Sequence, residues 1–173
     1  MCNPAAFVLT KKDVFWSKKT DSHQNIIEEF NLIEDGVYGP NILRVEISPI
    51  NRDLRIPIDQ WVFKIDQDII PKWFDKTKDE KRTRTALKKW FESKVILIGS
   101  IKISDKQIYI YDDSNVKACG NSNVKTYGNS NVKAYGNSIV RAYGNSNVIK
   151  YSKNSKIELF DNSALINRII NHQ

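Results

Sequence analysis

Residues 114–145 read SNVKACGN, SNVKTYGN, SNVKAYGN and SIVRAYGN, four octapeptides without a gap, and the next stretch, 146–151, continues as SNVIKY. Self-similarity at a short fixed period marks a stacked repeat, because one such unit cannot bury its own apolar face. Serine recurs at Ser114, Ser122, Ser130, Ser138 and Ser146, and valine two residues later at Val116, Val124, Val132, Val140 and Val148. A small residue follows at Ala118, Thr126, Ala134 and Ala142. Alternate positions of an extended chain share a face, so these three types line one side of a strand, and asparagine, lysine and tyrosine line the other. Gly-Asn at 120–121, 128–129, 136–137 and 144–145 is a turn dipeptide. Each unit is therefore one strand and one corner, and stacked units form a parallel β-solenoid, or β-helix.

The small inward residues predict a thin coil of two flat sheets and sixteen residues, with a triangular coil of three units as the alternative. The register extends back to Lys106-Gln107-Ile108-Tyr109-Ile110. It extends forward, after a one-residue slip near Lys153, to Ser155-Lys156-Ile157-Glu158-Leu159 and Ser163-Ala164-Leu165. Both flanks carry larger inward residues, which suits capping coils. A side-chain ladder of Asn121, Asn129, Asn137 and Asn145 along one corner would add stability.

Ahead of the repeat the periodicity is mixed. Residues 6–9 and 14–16 read as a hairpin, and Asp21-Ser22 offers an N-cap for a helix over 23–32 with Ile26, Ile27 and Phe30 at helical spacing. Residues 36–40 read as loop, and 42–47 and 61–65 as strands. Residues 79–93 form the clearest helix, with Ala86, Leu87, Trp90 and Phe91 as its apolar stripe and Lys81, Arg82, Arg84, Lys88 and Lys89 as a solvated side. The expected organisation is an α+β amino-terminal domain over 1–101, a small α/β cap, followed by the β-solenoid of octapeptide repeats with its C-terminal cap over 102–173.

Composition narrows the function. With 173 residues, 40% hydrophobic content and four tryptophans, the chain has material for a real core. No apolar run reaches the length of a membrane span and no charged-then-apolar leader opens the sequence, so a cytoplasmic place, without membrane association, is expected. Cys2 and Cys119 have neither disulfide-framework nor zinc spacing, and with only two histidines neither metal nor cofactor is expected. The net charge is +7, and residues 114–154 contain no acid while Lys117, Lys125, Lys133, Arg141, Lys150 and Lys153 recur on the outward side. Such a ladder is either a solubilising face or an electrostatic footprint for a polyanion.

Three constellations carry chemistry. Removal of Met1 would leave Cys2 with its own α-amino group as base, the arrangement of an amino-terminal nucleophile hydrolase, with Asn3 or Asn25 as oxyanion donor and His23 assisting. The competing reading is a small residue beside the first strand. Asp66 and Asp68 end a strand two residues apart and project to one side, as a magnesium or acid/base site requires, unless they cap the turn at Pro71 and are neutralised by Lys64 and Arg44. Last, the outward residues Lys117, Lys125, Tyr127, Lys133, Tyr135, Arg141, Tyr143 and Tyr151 form a Tyr/Lys binding surface. Cys119 stands in a tyrosine position, and Tyr127 and Tyr143 are expected beside Lys117 and Lys133. Aromatic rows beside lysines serve protein interfaces and single-strand nucleic-acid binding, or act as a folding device.

The opening Met1-Cys2-Asn3-Pro4-Ala5-Ala6-Phe7-Val8, the segment 61–73 around Asp66-Gln67-Asp68, and the Tyr-Gly-Asn-Ser repeats together resemble uncharacterised proteins of phages and bacterial mobile elements. The resemblance spans the chain and brings no catalytic residues. It implies a non-enzymatic interaction protein in a bacterial host, acting on a host protein, with counteraction of a host factor as one role, or on a second copy of itself. Nucleic-acid or nucleotide binding is the alternative, and a Cys2 hydrolase the third reading. The eight-residue period departs from the hexapeptide repeat, which argues against an acyltransferase analogy.

Overall fold

The structure, a computed structural model, describes residues 5–37, 39–51 and 53–169. The chain divides into two compact units, Met1–Glu92 and Ser93–Gln173.

In the first unit, β1 (Ala6–Leu9), β2 (Val14–Phe15), β5 (Leu43–Ser48) and β6 (Val62–Ile65) form an antiparallel sheet in the order β2-β1-β5-β6. Between them lie α1 (His23–Glu29) and a two-residue ladder of β3 (Asp35–Gly36) with β4 (Gly39–Pro40), where sequence suggested only loop. Ser22, not Asp21, caps α1 by accepting from the Asn25 backbone N–H. Asp21 is buried and accepts from Trp90 Nε1 at 2.8 Å. The apolar face of α1, Ile26 and Ile27, packs with Ala6, Val8 and Ile42. The helix α2 (Lys76–Lys94) presents the expected Leu87 and Trp90 to the core, and Trp90 and Phe91 both meet Trp61 edge-on. Its polar side is only partly solvated. Arg82 binds Asp79 and donates to the Thr10 and Asp13 carbonyls, and Arg84 binds Glu80 and donates to the Trp61 carbonyl, so two of the five cations are fixed by structure.

The second unit is the solenoid. One sheet holds β8 (Ser100–Ser104), β10 (Asn115–Cys119), β12 (Asn131–Ala134), β14 (Asn147–Lys150) and β16 (Ala164–Asn167). The other holds β7 (Val95–Ile96), β9 (Gln107–Ile110), β11 (Asn123–Thr126), β13 (Ile139–Ala142) and β15 (Lys156–Leu159). All pairings within these sheets are parallel, and Val116 lies beside Val132, and Val124 beside Val140, sixteen residues on. The coil is thus the two-sheet form and not the triangle. Beyond Lys153 the offset grows by one, Ile139 pairing with Lys156, as the slip required. Because β7 already pairs with β9, the repeat sheet begins before the 101/102 boundary taken from the octapeptides. The inward register continues to Ile157, partly buried against the core, and to Leu165, which is 38% exposed on the last strand, and residues 170–173 of the expected C-terminal cap lie outside the described residues.

The inward assignment holds at every full repeat. The five valines are at most 3% exposed, and the serines and small residues are fully buried between the sheets. Burying each valine contributes about 1.5–3 kcal/mol. The serines close the corners instead. Ser130 and Ser146 each donate to a corner carbonyl three residues back, or share that proton with a carbonyl of the coil before. A buried hydroxyl is therefore paired at each corner. Most corners use positive φ, supplied by Gly120, Gly128, Gly136 and Gly144 inside the stack and by Asp105, Asp112 and Asp161 towards its ends, whereas the corner at 152–154, where the offset grows by one, has none. At Gly136 an added Cβ would stand 3.1 Å from the Gly120 backbone, which explains glycine there. The asparagine ladder is real but double. A sixteen-residue coil has two corners, so Asn137 reaches Asn121 on one and Asn145 reaches Asn129 on the other.

Candidate functional site

The eight residues expected to form one Tyr/Lys surface are divided by the coil between two outer faces. Lys117 and Lys133 lie on β10 and β12, with Tyr135 and Tyr151 at the corner after their sheet. Lys125 and Arg141 lie on β11 and β13 of the opposite sheet, with Tyr127 and Tyr143 at the other corner. Tyr127 and Tyr143 therefore do not stand beside Lys117 and Lys133. Successive octapeptides look alike but face opposite ways. Lys150 departs as well: its unit reads Val-Ile-Lys-Tyr, so Ile149 takes the outward place beside Lys133 and Lys150 falls at the alanine position.

The tyrosines are stacked on one another. Tyr111, Tyr127, Tyr143 and Phe160 form one column with centroids 4.8, 5.1 and 4.6 Å apart, and Tyr135 and Tyr151 form a second at 4.7 Å. Half-buried Cys119 occupies the tyrosine place next to Tyr135. Burial first, and then the neighbouring Tyr143, raises the Tyr127 hydroxyl above its ordinary pKa; burial, Tyr151 and Cys119 raise Tyr135 in the same way. Ring faces within a column are occupied by other rings, which removes the stacking platform that single-strand nucleic-acid binding uses.

The two faces differ electrostatically. On the β11 side the outward column is Tyr109, Lys125, Arg141 and Glu158. Here Lys125 lies 5.4 Å from the Tyr109 ring and Arg141 pairs with Glu158 at 2.7 Å. On the β10 side the column is Lys102, Lys117, Lys133, Ile149 and Ile166. Lys117 sits 4.8 Å from the Tyr135 ring, and among the described residues none of the three lysines has a carboxylate partner. Neighbouring parallel strands hold their ammonium stems roughly 4.8 Å apart at the backbone, so the like charges repel unless an anion lies over them. Their stems, with Val116, Val132 and Ile149, line a groove of about 380 Å³.

The first unit holds the other expected site. Asp66 and Asp68 both border a groove of about 610 Å³, with Glu34, Arg44, Lys64 and Gln67 around it. Arg44 pairs with Glu34 and not with the aspartates. The turn towards Pro71 is tied by Gln67, which accepts from the Arg44 backbone N–H and donates to the Ile42 and Ile69 carbonyls. Asp66 instead meets His23, Oδ2 to Nδ1 at 3.3 Å, and both lie close to the buried Glu46. Sequence spacing cannot reveal this trio, since its members come from α1, β5 and the end of β6. Cys2 and Asn3 lie outside the described residues. Asn25 is exposed on α1, its amide directed at Thr20.

Comparisons with protein families, with curated proteins and with solved structures returned no match. Among the described residues no helix is long and apolar enough to cross a membrane.

Proposed function

We propose that the protein is a non-enzymatic interaction module, of the kind its resemblance to phage and mobile-element proteins implies, and that the outer face of β8, β10, β12 and β14 receives an acidic surface of a partner protein. The observation that carries this reading is the in-register column Lys102, Lys117, Lys133, which has no carboxylate partner among the described residues, while on the opposite column Arg141 is paired with Glu158. A rigid solenoid holds these charges at fixed spacing, so little side-chain ordering remains to oppose binding. The column passes from lysine into Ile149 and the 45% exposed Ile166, and this change from charge to apolar surface suits a protein face better than a uniform phosphodiester backbone. The resemblance supports a bacterial host factor as that partner.

The test is capture from host lysate with and without nuclease, comparing the native chain with Lys117→Glu/Lys133→Glu and with Lys125→Glu on the other face. The expected result is a nuclease-resistant acidic protein, weakened by salt, lost with the double variant and kept with Lys125→Glu. Nuclease-sensitive capture would transfer the face to nucleic acid. Equal capture by all three chains would overturn the assignment.

A further inference from the structure

The solenoid ends on two open strands. β15 and β16 are the outermost members of their sheets, each bonded to the coil before it and, among the described residues, to no strand beyond. The N–H groups of Lys156 and Phe160 donate to the Ser138 and Ala142 carbonyls, and those of Ala164 and Arg168 to Ser146 and Lys150. In a parallel ladder alternate residues face alternate neighbours, so the N–H and C=O of Ile157, Leu159, Leu165 and Asn167 point away from the stack, where no described residue meets them. Apolar surface gathers at the same end. Leu159, Phe160, Leu165 and Ile166 are 38–45% exposed, although Leu165 stands over the fully buried Val148. Phe160 has one ring face on Tyr143 and no described ring on the other. β16 reads Ala-Leu-Ile-Asn, with neither of the usual guards of a free edge, lysine or proline.

We propose that this end of the solenoid binds the same end of a second copy of the chain, the two meeting about a two-fold axis. Two edges about 10 Å apart need a partner with two edges at the same separation. Another end of this coil has them, whereas a lone strand of a different protein covers only one. A copy turned end over end lays an antiparallel strand on each edge, so the free backbone groups of both copies find partners, as they do between coils within one chain. Charge favours the same occupant. Over residues 155–169 the cations Lys156 and Arg168 are matched by the acids Glu158 and Asp161, while residues 114–154 carry cations only. This coil is therefore neutral in a chain of net charge +7, and two copies meet there without the repulsion that the lysine columns would impose. Strands of four residues are about 13 Å long, so the contact is small and the dimer reversible. It uses the strand edges and inward residues, not the Lys102–Lys133 column, and stands independently of the partner proposed for that column.

Sedimentation velocity of the full chain from about 1 µM to about 1 mM should show monomer passing to dimer and nothing larger, because a two-fold contact closes on itself. Hydrogen exchange over the same dilution locates the contact. The amides of Leu159, Leu165 and Asn167 should exchange several-fold more slowly at high concentration, and should slow more than those of β11 in the middle of the stack. Leu165→Lys adds a charge at a position already partly exposed and should weaken the dimer about tenfold or more, whereas Lys117→Glu/Lys133→Glu should leave it unchanged. Monomer throughout, open-ended assembly, or edge amides indifferent to concentration overturns the contact. So does a dimer that folded Leu165→Lys leaves undiminished, or one that the lysine pair of substitutions abolishes. The exchange measurement uses the native chain, so it decides the matter even where Leu165→Lys folds poorly.

Discussion

Replacing Tyr127 and Tyr143 together by serine separates a folding column from a binding surface. From sequence alone these rings are outward and removable without a change in melting. In the structure they are the middle of the column running from Tyr111 to Phe160, and the double substitution deletes all three ring contacts. At about 0.5–1.5 kcal/mol each beyond area burial, the loss is about 1.5–4.5 kcal/mol before the lost apolar area is counted. Tyr151→Ser deletes only the contact with Tyr135 and sets the scale for one pair. Urea unfolding followed by far-ultraviolet circular dichroism gives both losses. In a unit of this size the double variant should also melt lower by about 4–8 °C per kcal/mol. A double variant that loses no more stability than Tyr151→Ser would refute a continuous column and return these rings to the surface.

Two further outcomes follow from the same packing. Val132→Asp places an unpaired charge at a position 1% exposed and should lower stability by several kcal/mol, whereas Lys133→Asp, exposed beside it, should change stability by no more than about 0.5 kcal/mol; equal losses in urea would reverse the inward assignment. The raised Tyr127 pKa predicts alkaline sensitivity: stability is intact below the unfolded tyrosine value of about 10 and falls as pH rises past it, because the unfolded chain ionises while folded Tyr127 stays protonated. Tyr127→Phe should remove part of that fall, and an identical pH profile for the two chains would contradict the cause.

The solenoid was legible because its rule is local. A two-residue alternation of Ser-Val-Ala against Asn-Lys-Tyr decides which side is buried, and Gly-Asn decides where the chain turns, so burial follows unit by unit. The first unit was legible only in its elements. That Arg82 and Arg84 hold backbone carbonyls, that Gln67 and not Asp66 ties the turn, and that His23 reaches Glu46 depend on long-range placement. No period in the sequence records it.

The outer faces show how a repeat conceals the difference between its own two sides. An eight-residue unit in a sixteen-residue coil sends neighbouring copies to opposite sheets, so the matching lysines that suggest a single ladder belong to two columns. What distinguishes these columns is not the repeated residue but the exceptions at their ends. Each face has one lysine over a tyrosine ring, but Glu158 pairs with Arg141 on one face alone and offsets charge there. Lys102 extends the other column at one end, and Ile149 and Ile166 make it apolar at the other. Regular positions specify the coil and are shared by both faces, so they cannot by themselves favour one partner over another. A surface that discriminates must be built from the departures, and among the described residues the β10 face is where the departures leave the lysines without a carboxylate partner.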